Sequence, residues 1–242
     1  MREIRTGVWH WEARHPEWNE RQWWGPLVSS YAIDDGARLL LFDPLAPPAE
    51  IEKLAEERET AIVLTCPWHR RDAEALANGY GAPLYVPPPD EGDPSPVDGT
   101  IFRAGDRLPV GVEALPGMEP NDLVLWVESH GALVAGDTLQ DRGNGLQFLG
   151  DLANNVPAER GVAAEQILEG MQPLLALPVE IVLLTHGTPA DKAALGRALA
   201  TPPRLEHCST HHERPKRRGS YGRCQTSARS RSNDRALVDL KT

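Results

Sequence analysis

The chain has 242 residues, with 25 Lys and Arg against 35 Asp and Glu and a net charge of −10, which is room for one sizeable domain of about 100–200 residues plus a tail. The charge is unevenly placed: residues 1–202 hold 15 basic and 31 acidic side chains, a net of −16, whereas 203–242 hold 10 and 4, a net of +6. An acidic body argues against nucleic acid as its partner, because such binding draws on Lys and Arg neutralising phosphates. The three cysteines, Cys66, Cys208 and Cys224, are too few for a disulfide framework and point to a reducing, cytoplasmic setting. No apolar segment follows the charged start at 1–7 and no run reaches the ~18 apolar residues of a membrane span, so no membrane association is expected.

In chain order, residues 1–24 carry five of the seven tryptophans, Trp9, Trp11, Trp18, Trp23 and Trp24, with His10 and His15 between them. This amino-terminal arm either packs its rings at an edge or lines a substrate mouth with rigid apolar walls. Apolar runs rich in Val, Ile and Leu then predict strands at 27–33, 37–42, 61–65, 84–86, 112–115, 123–127, 132–135 and 181–185. Turn signals at Asp34-Asp35-Gly36 and Glu128-Ser129-His130-Gly131 make antiparallel neighbours of the strands they join. The unbroken apolar run at 181–185 predicts burial on both faces. Helices are predicted over 49–58, where Ile51, Leu54 and Ala55 fall at i, i+3 and i+4, over 71–80, over about 159–177 with a break at Pro173, and over 189–199 with proline near the first turn. Five prolines among acids at 87–96 predict a connecting loop.

Hairpin-paired strands in both halves, with helices outside, predict an α/β domain over 1–202 built from two mixed β-sheets packed face to face and flanked by helices. Residues 203–242 are rich in Arg, Ser, Thr and His and nearly free of apolar residues before Ala236, the composition of a disordered tail. A metal knuckle from His207, Cys208, His211, His212 and Cys224 is the other reading of that tail, though the spacing matches no standard zinc pattern.

Four strand ends carry the chemistry. An apolar strand closes in Asp43-Pro44; another runs into Thr65-Cys66-Pro67-Trp68-His69-Arg70-Arg71-Asp72; a third delivers Gly136-Asp137-Thr138; and a fourth delivers Thr185-His186-Gly187. A rigid sheet that presents Asp or His from its strand ends holds ligands in open geometry. This order, together with Pro116-Gly117 between the second and third, resembles the metallo-β-lactamase superfamily over about residues 25–200. The resemblance implies an αββα sandwich with a metal-dependent hydrolase site along one edge.

Departures from the family's pattern shape the expectation. The family's loop reads Thr-His-x-His-x-Asp-His, and an ungapped match places Cys66, Trp68, Arg70 and Arg71 at the four ligand positions, with Met118 where a His follows the Pro-Gly pair. Asp137 and His186 match family ligands directly, which excludes a binuclear centre of the family's type. A slip by one residue puts His69 in the place of the second His and Asp72 in that of the last. The candidate set for one divalent ion, zinc by ligand hardness, is then His69, Asp72, Asp137 and His186, with Cys66 as a further acceptable donor. The resemblance implies hydrolysis of an ester, thioester or amide there. In a second reading no ion is bound: Arg70 and Arg71 pair with Asp43 or Asp137 as a clamp, and the cleft holds a small anion or metabolite. A small-molecule ligand is the expected partner in both, and the oligomeric state stays open.

Overall fold

Three stretches with no polar residue, 39–42, 123–127 and 181–184, decide the architecture, because a strand without a polar face must be covered on both sides. The computed structural model, which describes residues 1–22, 24–148 and 164–200, places them inside two sheets. The first sheet runs β1 (Arg2–Arg5), β2 (Val8–Arg14), β3 (Leu27–Asp34), β4 (Arg38–Phe42), β5 (Glu59–Val63), β6 (Leu84–Val86) and β7 (Thr100–Ile101) in that spatial order. Its strands are antiparallel as far as β4 and parallel from there on. In the second, the order is β14 (Ile181–Leu183), β11 (Ala132–Val134), β10 (Asp122–Val127), β9 (Val112–Glu119) and β8 (Arg107–Leu108), with only β11 and β14 parallel. A separate hairpin joins β12 (Leu139–Asp141) to β13 (Leu146–Phe148).

Period-two alternation sorts each strand between two layers. Leu40 and Phe42 of β4 join Leu123, Leu125 and Val127 of β10 and Leu183 of β14 in the core between the sheets. The alternate residues Leu39 and Leu41 face α1 (Ala49–Glu57) and α2 (Ala73–Tyr80). Those of the second sheet, Val124, Trp126, Leu133 and Val182, share a cluster with α3 (Ala164–Met171) and α4 (Lys192–Ala200). The result is the layered helix, sheet, sheet, helix sandwich that the sequence predicts.

Differences from the expected elements are local. Within the amino-terminal stretch, β1 and β2 belong to the first sheet, with β2 paired to β3 along its whole length. The strand expected over 112–115 continues through Pro116-Gly117 to Glu119, with a register shift opposite Asp122 and Val124. Pro173 ends α3 as expected and opens a 3-10 turn over Gln172–Ala176. The expected tail at 203–242 with its His and Cys residues, Trp23, and the first part of the helix expected from 159 lie outside the described residues. No described helix is long and apolar enough to cross a membrane.

Candidate functional site

Strands β4, β5, β11 and β14 all end at one edge of the sandwich, and backbone bonds tie the two sheets together there. Ser29 N–H donates to the carbonyl of Thr185 and Leu123 N–H to that of Thr65, at 2.9 and 2.8 Å. The buried Tyr31 hydroxyl, its pKa raised by burial, donates to the Leu184 carbonyl at 2.8 Å and accepts the Leu184 N–H at 3.1 Å.

Asp43 leaves β4 in the left-handed region, at φ 45°, which costs a non-glycine residue about 1–3 kcal/mol and is tolerated where the surroundings fix it. They do so here. Its Oδ1 accepts the Thr65 N–H at 2.9 Å, and its Oδ2 accepts the Thr65 hydroxyl at 2.6 Å and faces His69 Nδ1 at 3.0 Å. Burial alone would raise this carboxyl, but the charge and hydrogen bond of His69, the Arg71 charge and the Thr65 hydrogen bond together outweigh it and hold the group below its ordinary value.

His69 stands on a 3-10 turn over Pro67–His69 and is 6% exposed. With Nδ1 turned to Asp43, its Nε2 lies 3.4 Å from Asp137 Oδ1, and His186 Nε2 lies 3.3 Å from the same oxygen. Neither contact is aligned as a hydrogen bond, so Oδ1 is buried without a hydrogen-bond partner. Trp68 Nε1–H holds the other oxygen, Oδ2, at 3.0 Å. Burial opposes a charge on His69, but the Asp137 and Asp43 carboxylates prevail and carry it up to about 9. Asp137 is held well below its ordinary value, the His69 and His186 imidazoles together overcoming burial, whereas burial lowers His186.

The turn that presents Asp137 depends on Gly136, at φ 55°, where a Cβ would stand 2.5 Å from Asp122 Oδ1. Asp122 is fully buried and accepts Asp137 N–H at 3.2 Å and the Thr138 hydroxyl at 2.8 Å. Burial, reinforced by the Asp137 charge, raises its pKa well above the ordinary range. Cys66 is fully buried, and its Sγ, a His69 ring nitrogen and an Asp137 carboxylate oxygen all lie within 4.8 Å of one another.

The sequence-predicted residues divide accordingly. Asp43, Cys66, His69, Asp137 and His186 come together. Asp72 does not join them: it precedes α2, and its Oδ2 accepts the Ala46 N–H at 2.7 Å, stitching down the loop after Asp43. Arg71 reaches main-chain oxygens rather than the carboxylates of Asp43 or Asp137. Arg71 Nη1 donates to the carbonyls of Asp43 and Ser29, at 2.6 and 2.9 Å, while Arg70 is exposed. His69 takes the neutralising role instead, because it is the cation that the turn places between the two carboxylates. Met118, which stands where the family has a His, is buried in the apolar cluster beneath α3 and α4.

Sequence reasoning missed Trp68 as a hydrogen-bond donor to Asp137 and Asp122 as the support of its turn. It also left the arm's role divided, and the structure divides it by residue. Trp11 is core and donates to the Leu45 carbonyl, whereas the Trp24 ring lies 5.5 Å from that of His186.

The chain matches no protein-family model and no curated protein. Among solved structures it is similar to a metallo-β-lactamase from Erythrobacter litoralis, at 16% identity over 82% of this chain and 93% of that one, with a TM-score of 0.57. It is similar to the DIM-1 metallo-β-lactamase at 16% identity over 81% and 93%, with a TM-score of 0.55. TTHA1623, solved in a di-iron-bound form, is 23% identical over 72% and 95%, with a TM-score of 0.52. The chain therefore has the metallo-β-lactamase fold.

Proposed function

We propose that the protein is a weak, mononuclear metal-dependent hydrolase whose single ion is held by His69, His186 and Asp137. The observation that carries this reading is the buried Oδ1 of Asp137, which has no aligned hydrogen bond but two imidazole Nε2 atoms at 3.3 and 3.4 Å. Tetrahedral zinc with bonds of about 2.0–2.1 Å places neighbouring donors about 3.3–3.4 Å apart, the spacing that each imidazole Nε2 keeps to Asp137 Oδ1. Asp43 supports the same reading, since a carboxylate on His69 Nδ1 fixes the tautomer that turns Nε2 inward. Trp68 fixes Asp137 in the same way by occupying Oδ2. Such an ion supplies a Lewis acid to a carbonyl and makes water a nucleophile near neutral pH. By likeness to the fold's hydrolases, the substrate class is an ester, thioester or amide. A cytoplasmic setting agrees with the buried free thiol of Cys66.

Elemental analysis of the purified full-length chain tests the proposal. Near-stoichiometric zinc, manganese or iron is expected, lost in Asp137→Ala. A wild-type chain that takes up no ion even when supplied with these metals overturns it. One observation favours the second reading, a small-anion cleft without catalysis: Nε and Nη2 of Arg71 are buried without hydrogen-bond partners. That reading predicts anion binding by the metal-free chain, lost in Arg71→Met.

A further inference from the structure

We infer that Cys66 is a fourth donor to this ion, binding it as a thiolate; the inference rests on the one-ion reading above. Three observations carry it. Cys66 Sγ, a His69 ring nitrogen and an Asp137 carboxylate oxygen all lie within 4.8 Å of one another. Asp137, only 7% exposed, keeps Oδ1 buried without a hydrogen-bond partner. Finally, among the described residues the hydrogen bond that Sγ accepts is long, 4.0 Å from the Thr65 hydroxyl, which already donates to Asp43 at 2.6 Å.

Charge supports the assignment. A divalent ion and the Arg71 guanidinium bring three positive charges to face three anions, Asp43, Asp137 and the thiolate. On binding, the S–H bond gives its proton to water as the sulfur–metal bond forms, with no change of oxidation state. A fourth protein donor has two consequences. Soft sulfur makes the site prefer zinc, cobalt or cadmium over magnesium or manganese. It also gives the ion the full ligand count of a closed tetrahedral site, so any hydrolysis is slow unless Cys66 yields its position.

Cobalt(II) loading of the full-length chain tests this by absorption. Wild type is expected to show visible cobalt bands at one equivalent together with a near-ultraviolet thiolate-to-cobalt charge-transfer band. Cys66→Ser should keep the visible bands and lose the charge-transfer band completely, and Cys66→Ala, which buries no new hydroxyl, is the second variant should the first fail to fold. Cobalt bound without the charge-transfer band overturns the thiolate alone and leaves the one-ion reading standing. A band that survives in both variants assigns it to Cys208 or Cys224 and likewise overturns the inference. No cobalt bound by wild type overturns both.

Discussion

The interior of the sandwich and its edge hold the two sheets together by different means. Between the sheets, the side chains of Phe42, Leu123, Leu125 and Leu183 are fully buried and apolar, and such contacts are adhesive without being directional. At the edge, Asp43, His69, Asp122 and Asp137 are buried together. Burying polar groups is costly unless each finds a partner, and here Asp137 Oδ1 and two nitrogens of Arg71 find none. The interior is therefore built for stability. The edge retains unsatisfied groups that a stability-driven design would have replaced.

Substitutions can separate the two. The largest expected loss is in the interior: Leu125→Ala empties a fully buried site between the sheets and should cost about 3 kcal/mol in urea unfolding, with the metal content per folded chain unchanged. A loss of bound metal in this variant would mean that the edge has no independence from the core. Gly136→Ala attacks the edge. Its Cβ would meet Asp122 Oδ1 in a left-handed turn, for a cost of about 2 kcal/mol, and by displacing Asp137 it should also abolish metal uptake. Trp68→Phe keeps the ring but deletes the hydrogen bond to Asp137 Oδ2, about 1–2 kcal/mol, and should weaken metal binding more than it weakens the fold. Equal stability and affinity in wild type and Trp68→Phe would remove Trp68 from the site.

The same division governs what the sequence revealed. The core strands were legible because runs such as Leu39–Phe42 have no polar face, and the four strand-end residues followed from them. By contrast, β1, charged at Arg2, Glu3 and Arg5, and β2, where Trp, His, Glu and Arg break up the apolar residues, were hidden because no apolar run marks either strand. Strands β7 and β8 are two residues each, too short for any period to show. Partner choice at the edge was illegible for a different reason. That Asp72 turns to Ala46, that Arg71 reaches backbone carbonyls, and that Trp68 serves Asp137 all depend on distances between loops of different strands. The slipped match, which put His69 in the site, was the part of the loop that spacing could recover.

The smallest expected effect is a pH limb set by a second buried histidine. His10 of β2 faces Ser29 Oγ at 2.9 Å and stacks on Tyr31. Burial, aided by the Arg2 charge, lowers its pKa to about 4. Its folded form therefore binds fewer protons than the unfolded chain, where histidine titrates near 6.5. Stability from this residue is fully present above about pH 6.5 and is lost as the pH falls toward 4. The opposite sign holds for His69, whose partners are carboxylates rather than a hydroxyl, so the two histidines differ by what each sheet position sets beside them. In His10→Gln the acid-side slope of urea midpoint against pH between 6.5 and 4 should flatten relative to wild type. An unchanged slope would mean that His10 does not titrate differently in the folded and unfolded chains, and the acid limb would then belong to the carboxylates of the edge.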